Sequence, residues 1–394
     1  MVNLKRLLWF SPLIVSALLA TQAPSHFSAT KGQPTLSLPL ELPVPQQPDR
    51  PQPKEWTIVG VGDILLHGAL QRQAASLGFE SLWEEAVPYF QEATFTYANL
   101  EGPTASGLVG LGRQAEDPGP IFDNRVYTSY PMFNYPPALL DALMKSGVDV
   151  VSTANNHSLD RGAEGVRRTI AELDNRGLAF TGTREGSESP RPWHAFTQTD
   201  GLIVAWLACT YGTNGIPDKE GQVLDCYQDQ EEILNLVRQL YADPGLGAII
   251  VTPHWGAEYT NAPALRERTL GRAFIDAGAT AVLGSHPHVP QPLEVHQAPD
   301  GREGLIAYSL GNFVSGQFHR LHTRAAPMVR LTLTGEPWQR ASIVGVEVIP
   351  MEMTRSQGRL QVRVLPFPGH TPAIRNHLES LFGATAEVTN LNQD

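Results

Sequence analysis

Acidic, amide and imidazole side chains recur in this chain at the ends of short apolar runs. The residues of interest are Asp63, Glu101, Asn156, His254, His286 and His288. Mixed oxygen and nitrogen donors of this kind suit divalent ions such as Mn, Fe or Zn. If the side chains converge, they predict a site for two divalent ions that activates water for attack on phosphorus or a carbonyl.

The strength of this signal lies in the set rather than in its members. His286 and His288 flank a proline, and two alternate imidazoles in that setting favour a metal site. Asp63 could instead belong to a Gly-Asp turn, Asn156 could cap the next helix, and His254 could be an ordinary loop residue. Independent turns have no reason to supply the whole ligand set in strand order, so the set predicts a metal centre.

Alternating strands and helices are predicted to position these residues. The predicted strands are Trp56–Gly62, Thr94–Ala98, Val148–Ser152, Leu202–Ala208, Ala248–Thr252, Ala279–Leu283 and Leu305–Ser309. The amphipathic stretches between them are Pro137–Ser146, Ala163–Arg176, Gln230–Tyr241 and Ala264–Ala277. Such alternation indicates crossover units with mostly parallel strands. Active sites of open α/β sheets lie beyond the carboxyl ends of the strands, where the candidate ligands fall.

The later part of the chain has a different pattern. Val329–Thr334, Ala341–Pro350 and Arg359–Leu365 follow one another without helices and predict antiparallel strands that complete a second sheet. Thr371–Phe382 is predicted to be a closing helix. The complete pattern predicts an α/β sandwich of two sheets flanked by helices.

Composition limits the classes of function. The chain has 394 residues, of which 42% are hydrophobic, so a large core is expected and a wholly disordered or fibrous chain is excluded. The formal net charge of −11 disfavours nucleic acid as a partner. An anionic substrate would therefore need a local cation, and a bound metal would provide one. Cys209 and Cys226 allow either one disulfide or two free thiols.

The amino-terminal segment has the pattern of a targeting signal followed by a linker. Lys5 and Arg6 precede an apolar run, which predicts a signal peptide over residues 1–23, with an uncleaved membrane anchor as the alternative. The proline-rich stretch 24–55 predicts an extended linker, and residues 56–394 the folded domain. The expected location is extracytoplasmic: secreted, periplasmic or anchored to the outer face of the plasma membrane.

Several of these segments resemble a known family. The matching pieces are Gly62-Asp63, Asn99-Leu100-Glu101, Ala154 to Asp160, Thr210 to Gly215, His254-Trp255-Gly256, Gly284 to Val289 and Ser309 to Phe313. Together they resemble the bacterial capsule-synthesis family typified by the poly-γ-glutamate protein CapA, from about Val59 to Phe313. The resemblance implies a calcineurin-like metallophosphoesterase fold and a role in capsule or poly-γ-glutamate synthesis. The motif core would be 59–313, with carboxy-terminal strands and a helix over 327–383.

The resemblance also implies ligand assignments for two metal ions. Glu101 would bridge the ions; the other ligands would be Asp63 and His288 for one ion, and Asn156, His254 and His286 for the second. The wider phosphoesterase pattern has an Asp-x-His segment that this chain lacks, since Asp63 is followed by Ile64-Leu65-Leu66-His67. His67 would replace the missing imidazole, contact substrate, or simply begin a helix.

The remaining polar residues around these motifs are predicted to serve catalysis and substrate binding. His157 would protonate the leaving group, and Asp160 would fix its tautomer, although Asp160 could also cap a helix. The predicted substrate-binding residues are Asn155, Tyr211, Asn214, Glu258 and Asn312, with a solvated loop as the alternative for Glu258. The segment 102–137 is predicted to be a lid or binding loop.

These observations leave several functions open. The first is a metal-dependent hydrolase acting on a phosphoester or an envelope polymer. The second is a non-hydrolytic subunit that binds poly-γ-glutamate in a synthesis or export complex. Metal-assisted proton abstraction and a structural wall protein are further alternatives. The expected partners are an anionic polymer or phosphoester, and membrane-bound capsule synthesis proteins.

Overall fold

The computed structural model describes residues 53–110, 112–383 and 387–389. The predicted signal or anchor over 1–23 and almost all of the predicted linker over 24–55 lie outside these residues. The first described strand begins at Lys54, within the last residues of the predicted linker. Among the described helices, none combines the length and apolar character needed to cross a membrane.

Strands and helices alternate through most of the described chain. The strands are β1 Lys54–Leu65, β2 Phe95–Leu100, β3 Leu108–Val109, β4 Arg113–Gln114, β5 Val150–Ser152, β6 Ala179–Thr181, β7 His194–Thr199, β8 Leu202–Thr210, β9 Ala248–His254, β10 Ala281–Leu283, β11 Leu293–Gln297, β12 Glu303–Ala307, β13 Asn312–Ser315, β14 Ala325–Gly335, β15 Ser342–Ser356, β16 Arg359–Val364 and β17 Glu387–Thr389. The α-helices are α1 Gly68–Leu77, α2 Val87–Glu92, α3 Ala138–Ser146, α4 Gly162–Arg176, α5 Gln230–Tyr241, α6 Leu265–Ala277 and α7 Pro372–Phe382.

The first sheet is built around β1. Its order is β16-β15-β14-β1-β2-β5-β6, with β13 also paired to β1 and β17 to β15. The strands β1, β2, β5, β6 and β13 are parallel, whereas β14, β15 and β16 run antiparallel. The prediction that the carboxy-terminal strands complete the second sheet was therefore wrong. They extend the first sheet because β14 pairs along β1, from Lys54 opposite Gly335 to Gly60 opposite Val329.

The second sheet has the order β11-β12-β10-β9-β8-β7. Its inner strands β8, β9, β10 and β12 are parallel, and the edge strands β7 and β11 are antiparallel to their neighbours. Apolar side chains from both sheets form the layer between them, where Tyr97 stacks on Trp206 at 5.7 Å between ring centroids. Helices α1, α3 and α4 cover the first sheet, and α5 and α6 the second. The predicted two-sheet α/β sandwich is confirmed.

A disulfide closes the loop that follows β8. Cys209 and Cys226 are bonded across a sequence separation of 17 residues, and both are fully buried. The structure therefore selects the bridge from the two cysteine states that the sequence allows. The bond fixes the base of the loop that carries Tyr211 and Asn214.

Candidate metal centre

The predicted ligands gather where the two sheets meet at their carboxyl ends. Asp63 lies on β1, directly opposite Asn99 on β2 and Asn312 on β13. The second sheet contributes His254 from the end of β9 and His286 and His288 from the turn after β10. Six of the predicted ligands are buried and the seventh, His67, is half-buried. The buried ones are Asp63, Glu101, Asn156, His254, His286 and His288. Residues separated widely along the chain therefore form one buried polar cluster.

Glu101 occupies the middle of this cluster. Its side chain is fully buried, and neither carboxylate oxygen has a hydrogen-bond partner. Oε1 lies 3.6 Å from Nε2 of His254 and 3.8 Å from Nε2 of His288. Burial and the nearby Asp63 carboxylate raise the pKa of Glu101 well above its usual value. A buried carboxylate in this condition costs stability unless a cation compensates it, so the position fits a bound metal.

Histidines complete a ligand set of the expected chemistry. Ligand atoms of Glu101, His286 and His288 all lie within 4.8 Å of one another. Nδ1 of His286 is buried without a hydrogen-bond partner. Burial, followed by repulsion from neighbouring imidazoles, holds the pKa values of His254 and His286 well below the usual value. These two rings are thus kept neutral, which is the form that binds a metal.

Asp63 lies beside His288, the residue with which the resemblance pairs it as a ligand of one ion. Its Oδ2 lies 3.0 Å from Nδ1 of His288, and its Oδ1 accepts a hydrogen bond from Asn99 Nδ2 at 2.8 Å. Burial lowers the pKa of His288, but the Glu101 and Asp63 carboxylates outweigh it and raise the value to about 9. Both oxygens of Asp63 thus have partners within the cluster, and its role as a metal ligand stays a prediction.

His254 is oriented from both sides of its ring. Nε2 lies 2.9 Å from Asn156 Oδ1, while Nδ1 lies 2.9 Å from Ser285 Oγ and 3.1 Å from Asn99 Nδ2. Asn99 and Ser285 were not predicted as site residues. The signal for Asn99 was its position two residues before Glu101, which places both on one face of an extended strand. Ser285 stands directly before His286.

His67 lies apart from the buried ligands. Its Nδ1 lies 3.1 Å from the Leu65 carbonyl and accepts from the Gly316 N–H at 3.2 Å. Its ring packs edge-on against Phe133, and burial lowers its pKa to about 4. The described hydrogen bonds and ion pairs connect it to neither Asp63 nor Glu101. Of its three predicted roles, the structure places it directly before α1, at the start of a helix.

His157 and Asp160 form the predicted pair. Nδ1 of His157 lies 2.7 Å from Oδ2 of Asp160, which also accepts the Phe133 N–H at 2.6 Å. The Phe133 ring meets the His157 ring edge-on at 4.8 Å. The Asp160 carboxylate therefore fixes the imidazole through Nδ1 and leaves Nε2 as the nitrogen available for proton transfer.

The segment predicted as a lid is anchored to the site at several points. The Tyr135 hydroxyl donates to the Glu101 carbonyl at 2.7 Å, and Asn134 makes two buried hydrogen bonds to backbone carbonyls. Tyr127 and Phe133 are also buried. Residues 126–135 thus form a wall of the site rather than a detached lid.

The predicted substrate-binding residues fall into two groups. Asn155 is fully buried, donating to the Leu100 carbonyl at 2.7 Å and accepting from the His157 N–H at 3.2 Å, so it has a structural role. Asn312 is also buried, with Nδ2 donating to Gln317 and to the Thr323 carbonyl. Both amides make hydrogen bonds within the protein, and their roles as substrate contacts stay predictions.

Tyr211, Asn214 and Glu258 lie at the opening of the site. The Tyr211 ring lies 4.3 Å from the His286 ring, and Asn214 Oδ1 accepts from Asn156 Nδ2 at 3.1 Å. Glu258 is solvent-exposed, two residues after Gly256. A substrate that approaches the buried cluster would therefore meet these three side chains.

Backbone strain is concentrated around the same cluster. Positive φ angles occur at Asn214 (50°), Tyr259 (63°), His286 (97°) and His288 (59°). Left-handed backbone is costly for residues with a Cβ and persists where the surroundings enforce it. Such strain is typical of functional sites, and here it coincides with two of the candidate ligands.

The fold and site define a two-sheet α/β protein with a buried histidine–carboxylate centre. The family model described as "Bacterial capsule synthesis protein PGA_cap" matches residues 57–317. The chain belongs to this bacterial capsule synthesis family.

Relatives with curated names support the same assignment. The chain is 26% identical over 289 residues to the PGA biosynthesis protein CapA of Bacillus subtilis, covering 73% of this chain and 70% of that protein. It is 28% identical over 269 residues to the capsule biosynthesis protein CapA of Bacillus anthracis, covering 67% and 61%. The aligned part thus spans less than two thirds of the second relative's length.

Two solved structures match the chain at a lower level of similarity. The Haemophilus influenzae NAD nucleotidase has a TM-score of 0.42 at 12% identity, covering 85% of this chain and 56% of that protein. The Thermus thermophilus sulfate thiohydrolase SoxB has a TM-score of 0.37 at 14% identity, covering 80% and 46%. Likeness at this level does not define an activity for the chain.

Proposed function

We propose that this protein is a metal-dependent hydrolase that acts on an anionic polymer or phosphoester during capsule synthesis outside the cytoplasm. The observation that carries the proposal is the Glu101 carboxylate, buried without a hydrogen-bond partner and faced by histidines. Membership of the capsule synthesis family supports the biological setting.

The metal-binding residues divide around Glu101. One group would be Glu101, His286 and His288, with Asp63 orienting His288. The other would be Glu101, Asn156 and His254, with Ser285 and Asn99 orienting His254. Bound divalent ions supply a water of lowered pKa and positive charge near the attacked centre.

The residues of the chain supply the other requirements of hydrolysis. His157, held by Asp160, is placed to give a proton to the leaving group. Tyr211 and Phe133 shield the rings of His286 and His157 from solvent, which strengthens electrostatic interactions in the site. The buried Glu101 carboxylate has no hydrogen-bond partner, and an anionic substrate needs a local cation. A bound metal would meet both needs, so metal and substrate binding are expected to be coupled.

The Cys209–Cys226 disulfide supports a location outside the reducing cytoplasm. Structural disulfides persist mainly in secreted, periplasmic or surface proteins. We therefore propose an extracytoplasmic site of action, with membrane-bound capsule synthesis proteins as neighbours.

The test is metal analysis of the purified protein together with turnover assays. We expect about two transition-metal equivalents, and cleavage of phosphodiester or phosphomonoester probes that a chelator abolishes and Mn²⁺ restores. Cleavage should also be lost in His286→Ala. Metal-replete protein that cleaves neither esters nor γ-linked glutamate oligomers, but binds the oligomers, would instead identify the non-hydrolytic assembly subunit.

A further inference from the structure

A cationic side chain stands at the mouth of the metal centre. Residues 316–321, here called the rim loop, connect β13 to a short 3₁₀-helix at His322–Arg324. Arg320 is exposed on this loop, and its guanidinium carbon lies 4.4 Å above the Tyr259 ring. No described carboxylate forms an ion pair with Arg320, so its charge is available to a ligand.

Tyr259 connects this cation to the buried ligands. Its ring centroid lies 6.0 Å from that of His288, and its N–H donates to the Pro287 carbonyl at 2.8 Å. Tyr259 has a left-handed backbone, with a φ of 63°. The Arg320 guanidinium is therefore separated from the candidate ligand His288 by the Tyr259 ring alone. The backbone of Tyr259 is bonded to the turn that carries this ligand.

The rim loop is also held at its base by hydrogen bonds to residues that surround the site. The Gly316 N–H donates to His67 Nδ1 at 3.2 Å, and Gln317 Oε1 accepts from Asn312 Nδ2 at 3.0 Å. The Gln317 amide further donates to the Tyr259 hydroxyl at 3.4 Å. These bonds fix the base of the loop, so that Arg320 keeps a defined position relative to the metal centre.

The charges of the chain and of the mouth explain why a cation at Arg320 matters for substrate binding. The chain carries a net charge of −11, and the exposed Glu258 stands next to Tyr259 at the same mouth. An anionic substrate would be repelled unless a local cation guides it. A planar guanidinium stacked on an aromatic ring is well suited to carboxylate or phosphate oxygens.

We propose that Arg320 is a specificity-determining residue that binds an anionic group of the substrate beside the metal centre, with Tyr259 as its platform. The ligand chemistry is an oxyanion, either a carboxylate of an acidic polymer or a phosphate. The exposed Glu258 carboxylate opposes this binding by like-charge repulsion. The inference rests on the proposed function for the position of the reacting group.

The test is calorimetric titration of the Mn²⁺-loaded full chain with two probes, an oligomer of γ-linked glutamate and inorganic phosphate. Arg320→Gln should weaken binding of the preferred probe about fivefold to tenfold, and Arg320→Lys should restore part of the loss. Glu258→Gln should change the affinity in the opposite direction. Raising the salt concentration should weaken binding in the wild type more than in Arg320→Gln. The probe with the larger loss identifies the source of the oxyanion.

Arg266 provides the matched control. It is exposed, stacks over the Tyr227 ring at 3.3 Å, and forms no ion pair with a described residue. Arg266→Gln should leave both affinities unchanged, and Mn²⁺ affinity should be the same in every variant. Equal losses in Arg266→Gln and Arg320→Gln, or no loss in either, would overturn the proposal.

Turnover separates this inference from the proposed function. If wild-type protein hydrolyses the probe, Arg320→Gln should raise KM by about the same factor while kcat is retained. If no hydrolysis occurs but Arg320→Gln still weakens binding, the hydrolase proposal fails and the role of Arg320 stands. If wild-type protein hydrolyses the probe and Arg320→Gln leaves KM unchanged, the hydrolase proposal stands and the role of Arg320 fails.

Discussion

The two sheets contribute different chemistry to the same centre. The carboxyl ends of β1, β2 and β5 carry the oxygen donors Asp63, Glu101 and Asn156. The ends of β9 and β10 carry the imidazoles of His254, His286 and His288. Neither sheet holds a complete ligand set, so the centre exists only when the sheets are packed together. Metal binding and sheet packing should consequently stabilise each other.

The largest effect is expected for Glu101, the first-sheet carboxylate that faces the imidazoles of the second sheet. Glu101→Gln should abolish metal binding and hydrolysis, since Glu101 alone faces His254 and His288 together. The same variant should stabilise the metal-free protein by about 1–3 kcal/mol, because a buried unpartnered carboxylate is removed. Calorimetric unfolding with and without Mn²⁺ measures both effects. A metal-free variant less stable than the wild type would contradict the buried-charge account.

Substituting His157 tests whether proton transfer can be lost while metal binding is retained. His157→Ala should lower kcat by about 10²–10⁴-fold while the metal content stays unchanged. The loss should be small for a substrate whose leaving group needs no proton. Asp160→Asn should show the same pattern in weaker form, because the amide holds the His157 ring less well. Loss of metal in either variant would assign the pair to the metal-binding set.

Substituting Asp63 tests most directly whether this oxygen donor of the first sheet binds metal itself or acts through the imidazole of His288. If it orients His288, Asp63→Asn should reduce metal affinity by about 10–100-fold without abolishing binding. His288→Ala should be more severe. Competition against a chelator of known affinity gives the comparison. Equal and complete loss in both variants would indicate that Asp63 is itself a ligand, as the family resemblance implies.

The disulfide should have the smallest effect on chemistry. Replacing Cys209 and Cys226 by serine should lower the free energy of unfolding by about 2–4 kcal/mol while kcat changes only a few-fold. The bond fixes the base of the loop that carries Tyr211, on the second-sheet side alone. Metal affinity should therefore change less than in Asp63→Asn, and a larger change would mean that the loop holds the imidazoles in place.

Local patterns predicted the parts of this structure that depend on local physics. The helix at Gln230–Tyr241 was placed at its observed bounds, and the candidate ligands do lie at one edge. The partner of β14 could not be predicted, since an antiparallel run carries no mark of the strand that it pairs with. The Asp63–His288 contact joins residues 225 positions apart and depends on how the sheets pack. The burial of Asn155 and Asn312 depends on the same packing, which local sequence patterns do not encode.

The left-handed backbone at His286 and His288 has a consequence for engineering. Glycine at these positions would relieve the strain and remove an imidazole in the same step, so gains in thermal tolerance there would come at the expense of function. Libraries aimed at a more thermostable version of the protein should leave this turn untouched and search the outer helices instead.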